Sequence, residues 1–153
     1  MGWETLVGTG LGAVVGVGST LLADRVRWRR EQDTRQKEVQ RQLYGDYLAA
    51  LERTRTHLKD LRRLPELTPD ERARQVRAAF REGGTYELAY RIAITAPHFV
   101  VRPSEEAQRK LRDVRDALIN GTECGTQSPV QVALRRAIRS LRGAMRSALG
   151  TDA

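Results

Sequence analysis

Thr5 to Ala23 reads TLVGTGLGAVVGVGSTLLA, nineteen residues without a charge, and Asp24 closes it ahead of RVRWRRE at 25–31. A helix rises ~1.5 Å per residue, so about 20 uncharged residues cross a ~30 Å hydrocarbon core. The run is therefore expected to be a single membrane-spanning helix. Leu6, Val7, Leu11, Val14, Val15, Val17, Leu21 and Leu22 carry its hydrophobicity, and five glycines dilute it. Gly8, Gly12 and Gly16 recur at every fourth position, and Thr20 continues the row. They share one helix face and form two overlapping GxxxG motifs, where small residues let another helix approach closely. The expected use of Gly8, Gly12 and Gly16 is a helix-association seam. The competing reading is that small residues are simply common in membrane helices.

Three rivals to a span were weighed against the same residues. A cleaved signal peptide needs a basic start and a small-x-small cleavage site, whereas the chain opens MGWET and continues LLADRV. Gly8-Thr9-Gly10-Leu11-Gly12-Ala13 fits the glycine pattern of a dinucleotide-binding turn. That turn needs a strand before it and a βαβ unit after it, and an arginine-rich helical stretch follows instead. A helix buried in a soluble core is the third rival, and the glycine content leaves it open.

Charge sets the expected orientation. Arg25, Arg27, Arg29 and Arg30 flank the C-terminal end of the run, and no Lys or Arg precedes it. The positive-inside rule then places the C-terminal domain in the cytoplasm of a single-pass protein of the cell membrane. Trp3 and Trp28, the only tryptophans, bracket the run at headgroup level. The same four arginines are expected to contact anionic lipid headgroups, where each cation contributes about 1 kcal/mol.

The 153 residues carry a net charge of +8, and all but three of the 27 basic residues are arginine. Removing the anchor leaves enough chain for one small domain with its own core. Aromatic residues are 5%, so that core must be aliphatic. Cys124 is the only cysteine, which rules out an internal disulfide and suits a reducing compartment.

Residues 25–42 are polar on almost every side and read as a basic juxtamembrane helix. From Leu43 a stripe appears at helical spacing: Leu43, Tyr44, Tyr47, Leu48, Leu51, Leu58 and Leu61. Pro65 is expected to stop that helix. Thr68, Pro69 and Glu71 form a capping-box signature for the next, which Gly83-Gly84 ends. Thr85 is expected to cap YELAYRIAIT, with Tyr86, Leu88, Ala89, Ile92 and Ala93 as its apolar positions. A strand is conceivable there, but nothing long enough could pair with it. HFVVRP reads as an extended connector, with Ser104 capping the following helix and Glu105 and Glu106 against its positive end. Ala107, Leu111, Val114, Leu118 and Ile119 form that helix's face, and Gly121 ends it. Ser128 and Pro129 open the last helix, whose stripe runs Val130, Leu134, Ile138, Leu141, Met145 and Leu149 to Gly150.

The expected fold is all-α: an N-terminal transmembrane helix continuing into a long helix, then a four- or five-helix cytoplasmic bundle. The expected divisions are 1–24 for the anchor, 25–42 for the basic helix and 43–153 for the bundle. The order of parts resembles a class of small actinobacterial proteins with one N-terminal membrane helix and a cytoplasmic helical domain. The resembling stretches are LLADRVRWRREQ, YGDYLAAL, RIAITAPHFV and LRGAMRSALGT. That likeness implies the anchor and the helical domain, and it transfers no functional residue.

Chemistry is sparse. His57 and His98 are the only histidines, and no HxxxH, ExxH or CxxC spacing occurs, so no metal or cofactor is expected. No serine lies in a GxSxG elbow and no phosphate-binding loop is present, so no catalytic residue is expected. Arg72, Arg74, Arg77 and Arg81, with Arg135, Arg136, Arg139, Arg142 and Arg146, could track phosphates. Acids such as Asp113 and Asp116 lie beside Arg112 and Arg115, and no aromatic-stacking or groove-reading motif accompanies them. Nucleic acid is therefore not the expected partner. The leading expectation is a membrane-anchored, non-enzymatic scaffold or regulatory protein that binds an unidentified protein and self-associates through the glycine seam. The alternatives are a pore-forming effector assembled through glycine-faced spans and a basic nucleic-acid-binding bundle.

Overall fold

A computed structural model describes the backbone of residues 3–64, 67–122, 125 and 127–151, and the side chains of Trp28 and of 34–151 within those ranges. The described chain is all-helical: α1 Trp3–Arg62, α2 Pro69–Glu82, α3 Thr85–Thr95, α4 His98–Ile119 and α5 Pro129–Leu149. It forms two compact units, Met1–Val39 and Gln40–Ala153, where the sequence had suggested a bundle beginning at residue 43. Among the described residues no helix is long and apolar enough to cross a membrane. The expected span Thr5–Ala23 and the surroundings of Gly8, Gly12 and Gly16 lie outside the described side chains. So do Arg25, Arg27, Arg29 and Arg30, and Cys124 lies outside the described residues altogether. From Thr34 to Val39 every side chain is exposed, as a helix polar on all sides must be.

Inside the second unit the expected stripes become the core. Leu43, Tyr44, Tyr47, Leu51 and Leu58 of α1 are buried with Val76 and Phe80 of α2 and Ile92 of α3. Val100, Ala107, Leu111, Val114 and Leu118 of α4 and Leu134, Ala137, Ile138, Leu141 and Met145 of α5 complete the cluster. Among α2 to α5 the α4–α5 pair packs most extensively, since both helices carry long, largely apolar faces. Burial pushes the Tyr44 and Tyr47 hydroxyls above the ordinary tyrosine range. The Tyr47 hydroxyl donates to the Ser104 carbonyl at 3.3 Å, whereas the buried Tyr44 hydroxyl has no partner among the described residues.

Several boundaries follow the sequence reading. Thr68 caps α2 in a capping box: the Glu71 N–H donates to Thr68 Oγ1 at 3.3 Å and the Thr68 N–H donates to Glu71 Oε2 at 3.1 Å. Gly150 ends α5 at φ 68° and Gly121 follows α4 at φ 67°, both left-handed positions that glycine occupies without a Cβ penalty. YELAYRIAIT is helix, which excludes the strand.

Five expectations need correction. HFVVRP is not a connector: α4 begins at His98, and the Val100 and Val101 N–H groups donate to the Pro97 carbonyl at 2.8 and 3.2 Å. Ser104 is accordingly buried inside the helix and is not its cap. Pro103 offers no N–H to the Phe99 carbonyl, but the burial of Val100 on the core side outweighs one missing bond. Glu105 and Glu106 therefore sit beyond the first turn, and Glu106 instead pairs with Arg109 at 3.1 Å. Gly84, at φ 64°, caps α3, while Thr85 is the first helical residue. Thr85 is buried, and its hydroxyl accepts from Gln108 Nε2 at 3.1 Å, which fastens α3 to α4. Of the expected α3 face only Ile92 is buried; Leu88 and Ala89 pack at the core's edge, and Tyr86 and Ala93 are exposed.

Candidate functional site

The capping box fixes where α2 starts, and with it the direction of Arg74, Arg77 and Arg81. These residues stand three and four apart, so they share one helix face. The Gly83-Gly84 turn then brings Tyr86 of α3 back against the end of α2. Its ring meets Phe80 edge-on, with centroids 5.6 Å apart and planes at 63°. Arg115 of α4 lies over the Phe80 ring at 4.9 Å from the centroid, a cation–π contact. Its Nε donates to Asp116 Oδ1 at 2.7 Å. That bond is the main reason the guanidinium is held more basic than usual, against partial burial and with smaller contributions from the Asp116 charge and Tyr86.

Together these residues line a cleft of about 550 Å³: Arg74, Arg77, Ala78, Phe80, Arg81, Tyr86 and Arg115. Among the described residues lining it there is no carboxylate. Two neighbouring acids are already engaged. Asp116 holds Arg115 from the side, and Glu71 is bound by the Thr68 hydroxyl and N–H, which lower its pKa more than Arg74 does. The cleft is therefore a concave, positively charged site with an aromatic wall. Guanidinium groups in this setting bind carboxylate or phosphate oxygens, because their planar forks match two acceptor oxygens at once.

Part of this grouping was visible in the sequence, and part was not. The structure brings Arg74, Arg77 and Arg81 together but places Arg72 elsewhere. Arg72 lines a second cleft of about 530 Å³ with Arg62, Arg63 and Thr122, against the end of α4. Arg135, Arg136, Arg139, Arg142 and Arg146 belong to α5 and line neither cleft. Arg115 was read only as a neighbour of acids. Phe80 and Tyr86 on either side of a glycine pair were the available signal that α2 and α3 fold back around an aromatic contact.

Tyr86 also opens a second feature. Tyr86, Tyr90 and Ile94 recur every four residues along α3, and Phe99 follows in the first turn of α4. They are 45%, 75%, 78% and 52% exposed. An apolar row at helical spacing is what a core face looks like, yet here the core closes without it. Glu87 and Arg91 on α3 and Arg102 on α4 are exposed charges close to this row in sequence. His57 lies in a groove with Asp60, Leu61, Gln75 and Glu82, and His98 opens α4. Among the described residues no group of three or more His, Cys, Asp or Glu is placed to hold a metal ion. Comparison with known families, curated proteins and solved structures returns no match to this chain.

Proposed function

We propose that this chain is a membrane-tethered, non-enzymatic interaction protein. Thr5–Ala23 is the tether, Arg25, Arg27, Arg29 and Arg30 hold its cytoplasmic end against anionic lipid, and the bundle is presented in the cytoplasm. Gly8, Gly12 and Gly16 provide a second, lateral contact between tethers. The observation that carries the interaction role is the exposed row Tyr86, Tyr90, Ile94 and Phe99 on a bundle whose core is complete without it. The occupant that fits it is an amphipathic helix of an acidic protein. The exposed Arg91 and Arg102 beside the row favour an acidic partner at this face.

The test is a photo-crosslinking residue at position 90 of the full chain in native membranes, with position 142 on α5 as the control. The expected adduct is one acidic protein captured at 90 and absent at 142, and lost when the probe stays at 90 and Ile94→Glu is added. An adduct of twice the chain's mass would assign the row to self-association. A lipid adduct would assign it to the bilayer surface. Equal capture at 90 and 142 would remove the row as a specific surface.

A further inference from the structure

We propose that the cleft between α2, α3 and α4 is a binding site for a phosphate group carried on a small organic body. The proposal stands on the cleft alone and is independent of the membrane tether. Arg74, Arg77 and Arg81 converge from one side and Arg115 from the other, around a volume of about 550 Å³ with no carboxylate among the described lining residues. Pockets of about 300–1,000 Å³ are the usual size for small-molecule ligands, so the space exceeds what one phosphate needs. The remainder of the wall is Ala78, Phe80 and the half-exposed Tyr86, an apolar and aromatic surface suited to a carbon skeleton or a ring.

Arg115 distinguishes this cleft from a merely basic surface. It is fixed three ways: by its Nε bond to Asp116, by stacking over Phe80 and by the neighbouring Tyr86. Asp116 engages Nε, and the guanidinium so held is part of the cleft wall. A guanidinium already ordered loses little conformational freedom on binding, and binding strength rises with such preorganisation. The three α2 arginines then add charge that a doubly ionised phosphate can meet with several charge-assisted bonds. A phosphorylated metabolite and a phospholipid headgroup share this chemistry, and the experiment separates them.

The full chain in neutral detergent is titrated calorimetrically with inorganic pyrophosphate, at constant ionic strength set by chloride. The full chain in phosphatidylcholine nanodiscs is compared with nanodiscs containing phosphatidic acid or, at equal surface charge, phosphatidylserine. Binding of pyrophosphate points to a soluble ligand. Preference for phosphatidic acid over phosphatidylserine without pyrophosphate binding points to a headgroup. In either case Arg77→Gln and Arg115→Gln are each expected to weaken binding about tenfold or more, the value of a lost charge-assisted bond. Arg77 is exposed, so its substitution leaves folding intact even if Arg115→Gln does not. Arg142→Gln, on α5, should bind as the parent does. An equal loss with Arg142→Gln, or no binding of any of these probes beyond the chloride control, overturns the proposal.

Discussion

At the residue scale, two positions show how closely this bundle is fitted. Gly83 has φ −62°, a conformation any residue adopts, so its glycine is not required by the backbone. It is required by space: a Cβ built there would collide with Thr54 Oγ1 of α1. That hydroxyl is itself pinned, donating to the Ala50 carbonyl at 2.8 Å. Gly83→Ala is therefore expected to cost about 1–3 kcal/mol, the usual range for overpacking. Thr54→Ala should recover most of the loss, so urea unfolding of both single variants and the pair forms a double-mutant cycle with strong coupling. Additive effects would show that the clash is relieved by a backbone shift instead. The two buried tyrosines form the second case. Tyr47→Phe removes the bond to Ser104 and should cost about 1 kcal/mol. Tyr44→Phe removes a buried hydroxyl without a protein partner and should be neutral or stabilising by the same measurement.

At the element scale, the legible boundaries were those with a local mechanism. Thr68, Pro69 and Glu71 specify the start of α2 through bonds made within four residues, and the structure contains those bonds. The Thr68 hydroxyl, and then its N–H, hold the Glu71 carboxyl below the ordinary glutamate range. A lowered folded pKa means stability that is present above the unfolded value and lost as pH falls through the folded one. Separately, Thr68→Ala removes the helix cap and should cost about 1 kcal/mol at neutral pH. Glu71→Gln should flatten the part of the acid-side decline that this carboxylate causes, read as urea midpoint against pH; an unchanged decline would place it on other carboxylates. The illegible boundary was the start of α4. Ser104 followed by two glutamates has the local signature of a cap, but Val100 gains more from the core than Pro103 loses from the helix. Tertiary burial of that kind leaves no mark in the six residues HFVVRP. The α3 face was legible only in part: Ile92, Leu88 and Ala89 meet the core, whereas Tyr86 and Ala93 are exposed, and the exposed row Tyr86, Tyr90 and Ile94 was not foreseen. Tyr86, Tyr90 and Ile94 have the period of a buried stripe, and periodicity identifies a helix face without saying whether anything within the chain covers it.

At the scale of the whole molecule, aliphatic stripes at three- and four-residue spacing made the all-helical bundle readable. The arginine cleft was only half readable, because Arg115 joins Arg77 and Arg81 through a fold-back that no spacing encodes. The proposed tether rests on the first thirty residues, and its physics gives a sharp expectation. With the uncharged run inserted, the full chain should sediment with membranes and resist an alkaline carbonate wash. Placing Arg at Leu11 and at Val14 adds two charges near the middle of a span, each costing about 2.5–3.5 kcal/mol for insertion. That change should release the chain to the supernatant while its melting transition persists, since the core lies wholly within residues 43–149. Orientation is a separate readout: a reporter fused after Ala153 should behave as cytoplasmic. Replacing Arg25, Arg27, Arg29 and Arg30 together by Gln removes the main charge asymmetry and should give mixed orientation without releasing the chain. Release by the arginine-to-glutamine change, with no effect of Arg at 11 and 14, would mean the chain is held by surface charge and not by a span. Retention of the bundle on membranes after both changes would place the attachment on the bundle itself, at the exposed α3 row or the arginine cleft.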